Sequence, residues 1–211
     1  MKGIIFDLDG VIVFTDHYHY LAWKKMADDI NCYFDEVINN RLRGVSRMAS
    51  LDIILERHEG RPFTEEEKVQ LAEKKNDLYK EYLKLMKPED ATDEVRETLK
   101  ELRNRGYKLA IGSSSKNAKF ILKQVELTEY FDAISDGTNI SKSKPDPEVF
   151  LCGAEFLGLK PEDCAVVEDA FAGIDAAKAG GFYAVAIGDA TNYEKSDYKL
   201  GTFKDLLNVF K

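Results

Sequence analysis

The sequence predicts a Rossmann-like α/β core, a parallel sheet with helices on both faces, with a helical domain inserted after the first strand. Three observations carry that prediction. Gly3-Ile4-Ile5-Phe6 is β-branched, aromatic and too short for a helix, and with no apolar/polar alternation it suits a strand buried on both faces of a parallel sheet. No convincing strand follows until about residue 107, because the intervening stretch is helical in pattern. From Thr92 onward helices alternate with short apolar strands, the signature of a parallel sheet covered by helices. The core is therefore expected over 1–15 and 88–211, and the insertion, about seventy residues, over 16–87.

In chain order, the first strand ends in Asp7-Leu8-Asp9-Gly10, where glycine signals a turn. Tyr18, Leu21, Ala22 and Lys25 begin a helix, with Trp23 and Met26 on adjoining faces; Leu42 to Arg47 breaks it, and a second helix runs through Leu51, Ile54 and Leu55. Thr64-Glu65-Glu66-Glu67 reads as a capping box opening a charged helix to about Met86, with Val69, Leu71, Leu78, Tyr82 and Leu85 as its apolar side and its charges as a solvated face. Lys87 to Ala91 reads as a linker around Pro88. Thr92 caps a helix through Val95, Leu99 and Leu102 that Gly106 ends. Tyr107 to Gly112 is the next strand, followed by the Ser113-Ser114-Ser115-Lys116-Asn117 loop and a helix through Ile121, Leu122 and Val125. Phe131 to Ile134 is a third apolar segment. Asp146-Pro147 starts a helix over Glu148 to Leu157, with proline in the first helical position. Cys164 to Val167 is a strand ending at Glu168-Asp169, Ala172 to Ala179 a small-residue helix, Phe182 to Ile187 the last clear strand, and Thr202 caps a terminal helix through Leu206, Leu207 and Phe210.

Bulk properties narrow the function. A chain of 211 residues is long for one small domain and short for two large ones, which fits one core with a substantial insertion. The formal charge of −8 argues against nucleic acid or an anionic membrane as partner, so a phosphorylated substrate needs a local basic cluster. Cys32, Cys152 and Cys164 are odd in number and lack Cys-x-x-Cys spacing, which suits reduced thiols packed as small core residues in a cytoplasmic protein. No leader and no run near 18 apolar residues is visible, so neither secretion nor a membrane span is expected. A monomer is expected.

Parallel sheets place ligand sites at the carboxyl ends of their strands. Four such ends carry polar groups: Asp7 with Asp9, the Ser113–Asn117 loop, Lys144 before Pro145, and Glu168-Asp169. Each has an ordinary explanation, as an acidic turn, an N-cap, an exposed loop lysine or the acidic first turn of a helix. Together their chemical types fit one task. Acidic pairs can hold Mg2+, which prefers oxygen ligands at about 2.0–2.1 Å. Serine hydroxyls and backbone N–H groups at a helix start, with a lysine, can hold a phosphoryl group. Phosphoryl transfer needs that neutralisation and an in-line nucleophile, and Asp7 could accept phosphate as an aspartyl-phosphate.

The ordered set Asp7-Leu8-Asp9-Gly10-Val11, Ser113, Lys144-Pro145 and Glu168-Asp169 resembles the haloacid dehalogenase-like (HAD) phosphotransferases over the whole chain. Within that family the chain is most similar to the β-phosphoglucomutases, through Tyr18-His19, Ala22-Trp23-Lys24, Gly44-Val45-Ser46-Arg47, Lys75-Asn76 and Ser115-Lys116-Asn117. The resemblance implies that the insertion is a cap domain and that the reaction is a two-step transfer through glucose 1,6-bisphosphate, converting β-glucose 1-phosphate to glucose 6-phosphate. It implies Asp7 as nucleophile, Asp9 as acid and base, and Mg2+ held by the Asp7 carboxylate, the Asp9 backbone carbonyl and Asp169, with Glu168 close by. It implies Ser113, Ser114 and Lys144 around the transferring phosphoryl group. It gives the distal phosphate to Arg47 with the Gly44-Val45-Ser46 backbone, and to Ser115, Lys116 and Asn117. Thr15, His19, Trp23 and Lys75 join the substrate-binding set, with Thr15 and His19 at the hinge and near Asp9; His17 and His58 match nothing in the family. Val13-Phe14 departs from the pattern, standing where the family usually has Thr-Asp and so removing a carboxylate from the hinge. A Mg-dependent phosphatase of the same fold, acting on a small sugar phosphate with water as acceptor, is the alternative. A non-catalytic binding module predicts loss of Asp7, Asp9 or Lys144, and all three are present.

Overall fold

Six strands, β1 (Gly3–Phe6), β2 (Lys108–Gly112), β3 (Ala133–Ser135), β4 (Cys164–Glu168), β5 (Tyr183–Ala186) and β6 (Tyr198–Lys199), form one parallel sheet in the order β3-β2-β1-β4-β5-β6. The structure is a computed structural model describing residues 1–42 and 46–211. In chain order its helices are α1 (Asp16–Asp29), α2 (Glu36–Asn40), α3 (Arg47–Leu55), α4 (Glu65–Leu83), α5 (Asp93–Asn104), α6 (Ala118–Gln124), α7 (Glu148–Leu157), α8 (Phe171–Ala179) and α9 (Leu206–Val209). Two compact units emerge, Met1–Phe14 with Met86–Lys211, and Thr15–Leu85.

In the first unit the sheet is the core. Every residue of β1 and β4 is buried, as unalternating apolar strands require. Register follows: Ile5 lies between Ala110 of β2 and Val166 of β4. On one face Ile5, Ala110, Val166 and Ala184 pack with Val149, Phe150 and Ala154 of α7 and Ile174 and Ala177 of α8. On the other, the Phe6 ring meets Phe131 edge-on at 6.1 Å and Phe203 at 5.8 Å. Thr92 accepts from the Val95 N–H to start α5, and Gly106 follows that helix at φ +86.

The second unit is helical, with Trp23, Met26, Phe34, Leu51, Ile54 and Ala72 in its core. Its long helix α4 opens with the expected capping box, Thr64 and Glu67 bonding reciprocally. Its inner face differs from the expectation. The buried residues are Ala72, Lys75, Tyr79 and Leu83, while Val69 and Leu85 are exposed. The 3-4-4 spacing of the true stripe is as helical as the apolar one, but a lysine in it disguises it as a solvated face.

Several smaller expectations are also corrected. The five-residue α2, capped by Asp35 accepting from Ile38, is too short to show a period. Pro147 occupies the N-cap of α7 and not its first helical position. The terminal helix from Thr202 begins as a 3-10 turn before α9. A further strand, β6, follows the last apolar one and is defined by backbone pairing to β5. Cys32 and Cys164 are buried but Cys152 is half-buried, so it is not a core residue; all three are free. No helix among the described residues is long and apolar enough to cross a membrane.

The register of α4 is directly testable. Leu83→Ala is expected to cost about 2–5 kcal/mol, because it empties a fully buried position, whereas Leu85→Ala should stay within about 0.5 kcal/mol. Urea unfolding of both variants checks this, and equal effects would contradict the buried stripe.

Candidate active site

The parallel register brings the polar strand ends to one edge of the sheet. Phe6 pairs with Val167, so Asp7 emerges beside Glu168, and the Asp7 N–H donates to the Val167 carbonyl at 2.9 Å. The chain then turns sharply. Ile12 and Val13 N–H groups both donate to the Leu8 carbonyl, Gly10 N–H to Val13, and Gly10 sits at φ +85. A Cβ there would lie 2.1 Å from Asp169 Oδ2, so glycine meets a conformational and a steric demand at once. Glu168 is equally enclosed: one oxygen accepts from the Ala170 N–H at 2.8 Å, and a Cβ on Gly173 would come within 1.9 Å of its carboxyl.

Lys144 joins these acids. Its Nζ lies 2.5 Å from Asp7 Oδ1 and 2.5 Å from Glu168 Oε1. Its side chain is 11% exposed, so a bridge of this kind is shielded from solvent competition. Burial alone disfavours the Lys144 charge, but the Asp7 and Glu168 carboxylates outweigh it and the pKa is raised. Burial drives Glu168 upward against the pull of Lys144. Asp169 is pushed up to about 8, first by burial and then by the charges of Glu168 and Asp7.

Asp7, Glu168 and Asp169 offer carboxylate oxygens that all lie within 4.8 Å of one another. Three hard oxygen donors with one neutralising lysine among the described residues fit a divalent cation such as Mg2+, which would relieve the repulsion that adds to burial in raising Asp169. The Asp9 carboxylate is not one of the three, and its expected contribution is its backbone carbonyl.

At the end of β2 the serine loop is self-organised. The Ser113 and Ser115 hydroxyls accept from the Ser115 and Asn117 N–H groups, both at 3.2 Å. Ser114 Oγ is buried with no hydrogen-bond partner among the described residues, a donor suited to a phosphoryl oxygen. Ser113 and Asn117 are buried, and Lys116 is exposed. At the end of β3 lies an acid that sequence reading passed over, Asp136, whose Oδ1 accepts from the Thr138 N–H at 2.9 Å.

The remaining expected residues lie in the helical unit, where the structure gathers most of them. Lys75, buried on α4, has its Nζ 2.8 Å from His19 Nδ1 and 4.6 Å from the Trp23 ring. An ammonium has no acceptor, so Nδ1 accepts and His19 is neutral with its proton on Nε2. Burial, then the Lys75 and Arg47 charges, hold the His19 pKa well below 6.5. Tyr79, which sequence reading missed, stacks on His19 at 4.0 Å and donates to Thr15 Oγ1 at 3.2 Å. Its signal was its place four residues beyond Lys75, one helical turn on. Arg47 donates to Asn76 at 2.8 Å, and the Ser46 hydroxyl is engaged in capping α3. Gly44 and Val45 lie outside the described residues.

Comparison with known proteins gives concordant matches. Residues 1–181 match the model of a family described as haloacid dehalogenase-like hydrolase. The chain is 41% identical over 207 residues to a β-phosphoglucomutase of Bacillus subtilis, covering 98% of this chain and 92% of that protein. It is 29% identical over 219 residues to the phosphorylated carbohydrates phosphatase of Thermotoga maritima, covering 100% and 99%. The crystal structure of a β-phosphoglucomutase from Clostridium difficile superimposes with a TM-score of 0.88 at 36% identity, covering 98% of this chain and 93% of that one.

Asp169 yields a pH test. Its pKa rises from 3.8 to about 8 on folding, so its contribution to stability is complete below about pH 3.8 and is lost as pH climbs through about 8. Metal-free protein is therefore expected to melt lower at about pH 9 than at about pH 6, and Mg2+ to raise the midpoint more at the higher pH, where it no longer competes with a proton. Melting scans in EDTA or Mg2+ check this; a Mg2+ shift as large at the lower pH would contradict it.

Proposed function

This chain belongs to the haloacid dehalogenase-like hydrolases, and from that family we propose that it acts as a β-phosphoglucomutase, interconverting β-D-glucose 1-phosphate and D-glucose 6-phosphate. The observation that carries phosphoryl transfer is the bridge from Lys144 to Asp7 and Glu168 inside a three-carboxylate cluster. The acceptor being a sugar and not water is supported by 41% identity across 98% of the chain to a mutase.

In this reading the C6 hydroxyl of the substrate attacks phosphorus on phosphorylated Asp7 and gives its proton to Asp9. The bond to Asp7 breaks, leaving glucose 1,6-bisphosphate, which turns round. Asp7 then attacks the C1 phosphate, and the departing C1 oxygen takes the proton back from Asp9. Ser113, Ser114 and Lys144 hold the transferring group. Mg2+, held by Asp7, the Asp9 carbonyl and Asp169 with Glu168 beside it, would supply further neutralisation of phosphoryl charge. Arg47 takes the distal phosphate, which needs a cation of its own. Free cysteines support a cytoplasmic setting.

One observation favours the phosphatase reading. Phe14, 71% exposed, stands where the family usually carries a hinge carboxylate, and loss of that carboxylate weakens the preference for sugar over water that the resemblance implies.

The two readings separate in one assay. With Mg2+, β-glucose 1-phosphate and a trace of the bisphosphate, glucose 6-phosphate is expected to form at least about tenfold faster than inorganic phosphate; dominance of free phosphate would select the phosphatase. Asp7→Asn should lower turnover by about 10³-fold or more while keeping a cooperative melt, and surviving activity would remove Asp7 from the nucleophile role.

A further inference from the structure

Lys144 reaches its carboxylates from an exposed loop. Ser141, Lys142, Ser143 and Pro145 are all exposed, yet the Lys144 side chain is 11% exposed and bridges Asp7 and Glu168. A flexible four-carbon stem on an exposed backbone does not hold such a position unaided. Two residues of α7, neither of them at a strand end, restrain it from both sides.

Glu148, the first residue of α7, turns back onto the loop. Its Oε2 accepts from the Ser141 N–H at 3.0 Å and the Lys142 N–H at 2.7 Å, and the Ser141 hydroxyl donates to its carboxylate at 3.1 and 3.0 Å. Asp146 completes the closure: its side chain accepts from the Glu148 N–H at 3.0 Å, and its own N–H donates to the Ser143 carbonyl at 3.1 Å. Lys144 is therefore tethered on both sides. A carboxylate suits this role because it only accepts, and three donors converge on it. Two residues on, fully buried Phe150 sets its ring 4.7 Å from the Lys144 Nζ. The ring is itself fixed, edge-on to Phe182 at 6.3 Å and so close to Gly112 that a Cβ there would lie 2.6 Å away.

We propose that Glu148 and Phe150 are positioning residues of the phosphoryl-transfer site: Glu148 clamps the backbone that carries Lys144, and Phe150 offers its ring face to the ammonium so that it stays on Asp7. This rests on the phosphoryl-transfer reading for its catalytic consequence but not for its geometry. Glu148 acts as a tether without meeting substrate, and Phe150 acts only through Lys144. Loosening either one spreads Lys144 over several positions and slows the chemical step while substrate binding persists.

The test uses Glu148→Gln and Phe150→Leu in the full-length, Mg2+-loaded protein, with Glu148→Ala and Phe150→Met in reserve if either variant lacks a cooperative melt. A buried ammonium between two carboxylates exchanges its protons slowly, so Lys144 should give its own signal in a lysine-selective proton–nitrogen spectrum, assigned by its loss in Lys144→Met. Both variants are expected to lose or broaden that signal, and kcat for β-glucose 1-phosphate should fall about 10- to 100-fold with KM within about threefold. Variants that keep the signal overturn the clamp, whatever their kcat; variants that lose it and keep kcat within twofold overturn its catalytic part. A wild-type protein without mutase turnover whose variants still lose the signal sinks the mutase reading and leaves the clamp standing.

Discussion

The interaction on which the rest depends is an unequal charge balance: one buried lysine among three carboxylates. At about 4 Å, two like charges repel by about 4 kcal/mol at an effective dielectric of about 20, and Asp7, Glu168 and Asp169 crowd within 4.8 Å. Lys144 neutralises part of this by touching two of them, and what remains adds to burial in raising Asp169 to about 8. A cluster with three carboxylates and one lysine, one of whose acids binds a proton readily, is suited to a divalent cation.

That balance depends on close approach, and close approach depends on backbone. Because β1 is paired on both sides, its last residue has a fixed neighbour in β4, and Asp7 leaves the sheet beside Glu168 without any loop having to place it. A slip of one residue in that pairing would turn every side chain of the strand to the opposite face. The two glycines act where register cannot. Gly10 admits the Asp169 carboxylate against the turn, and Gly173 admits Glu168 against the start of α8. Larger residues at either place would push a carboxylate out of the cluster.

The strands and their polar ends were legible because both signals are local: a short apolar run and an acid, serine or lysine directly after it. The Lys144-Pro145 step was legible in the same way, but its anchors were not. Glu148 reads in sequence as an ordinary acid in a helix first turn and Phe150 as a core aromatic, and only the fold brings both to one lysine. The inner face of α4 was misread for a related reason. Lys75 looks like solvent, and its burial depends on Trp23, His19 and Tyr79, of which the first two belong to another helix. The strand β6 left no trace, because backbone groups and not apolar side chains define it.

In the helical unit Lys75 is buried against a neutral imidazole and two aromatic rings, groups that accept a hydrogen bond or face a cation. Were His19 protonated, two cations would meet within hydrogen-bond distance away from water, so burial and Lys75 together keep it neutral and fix which nitrogen carries its proton.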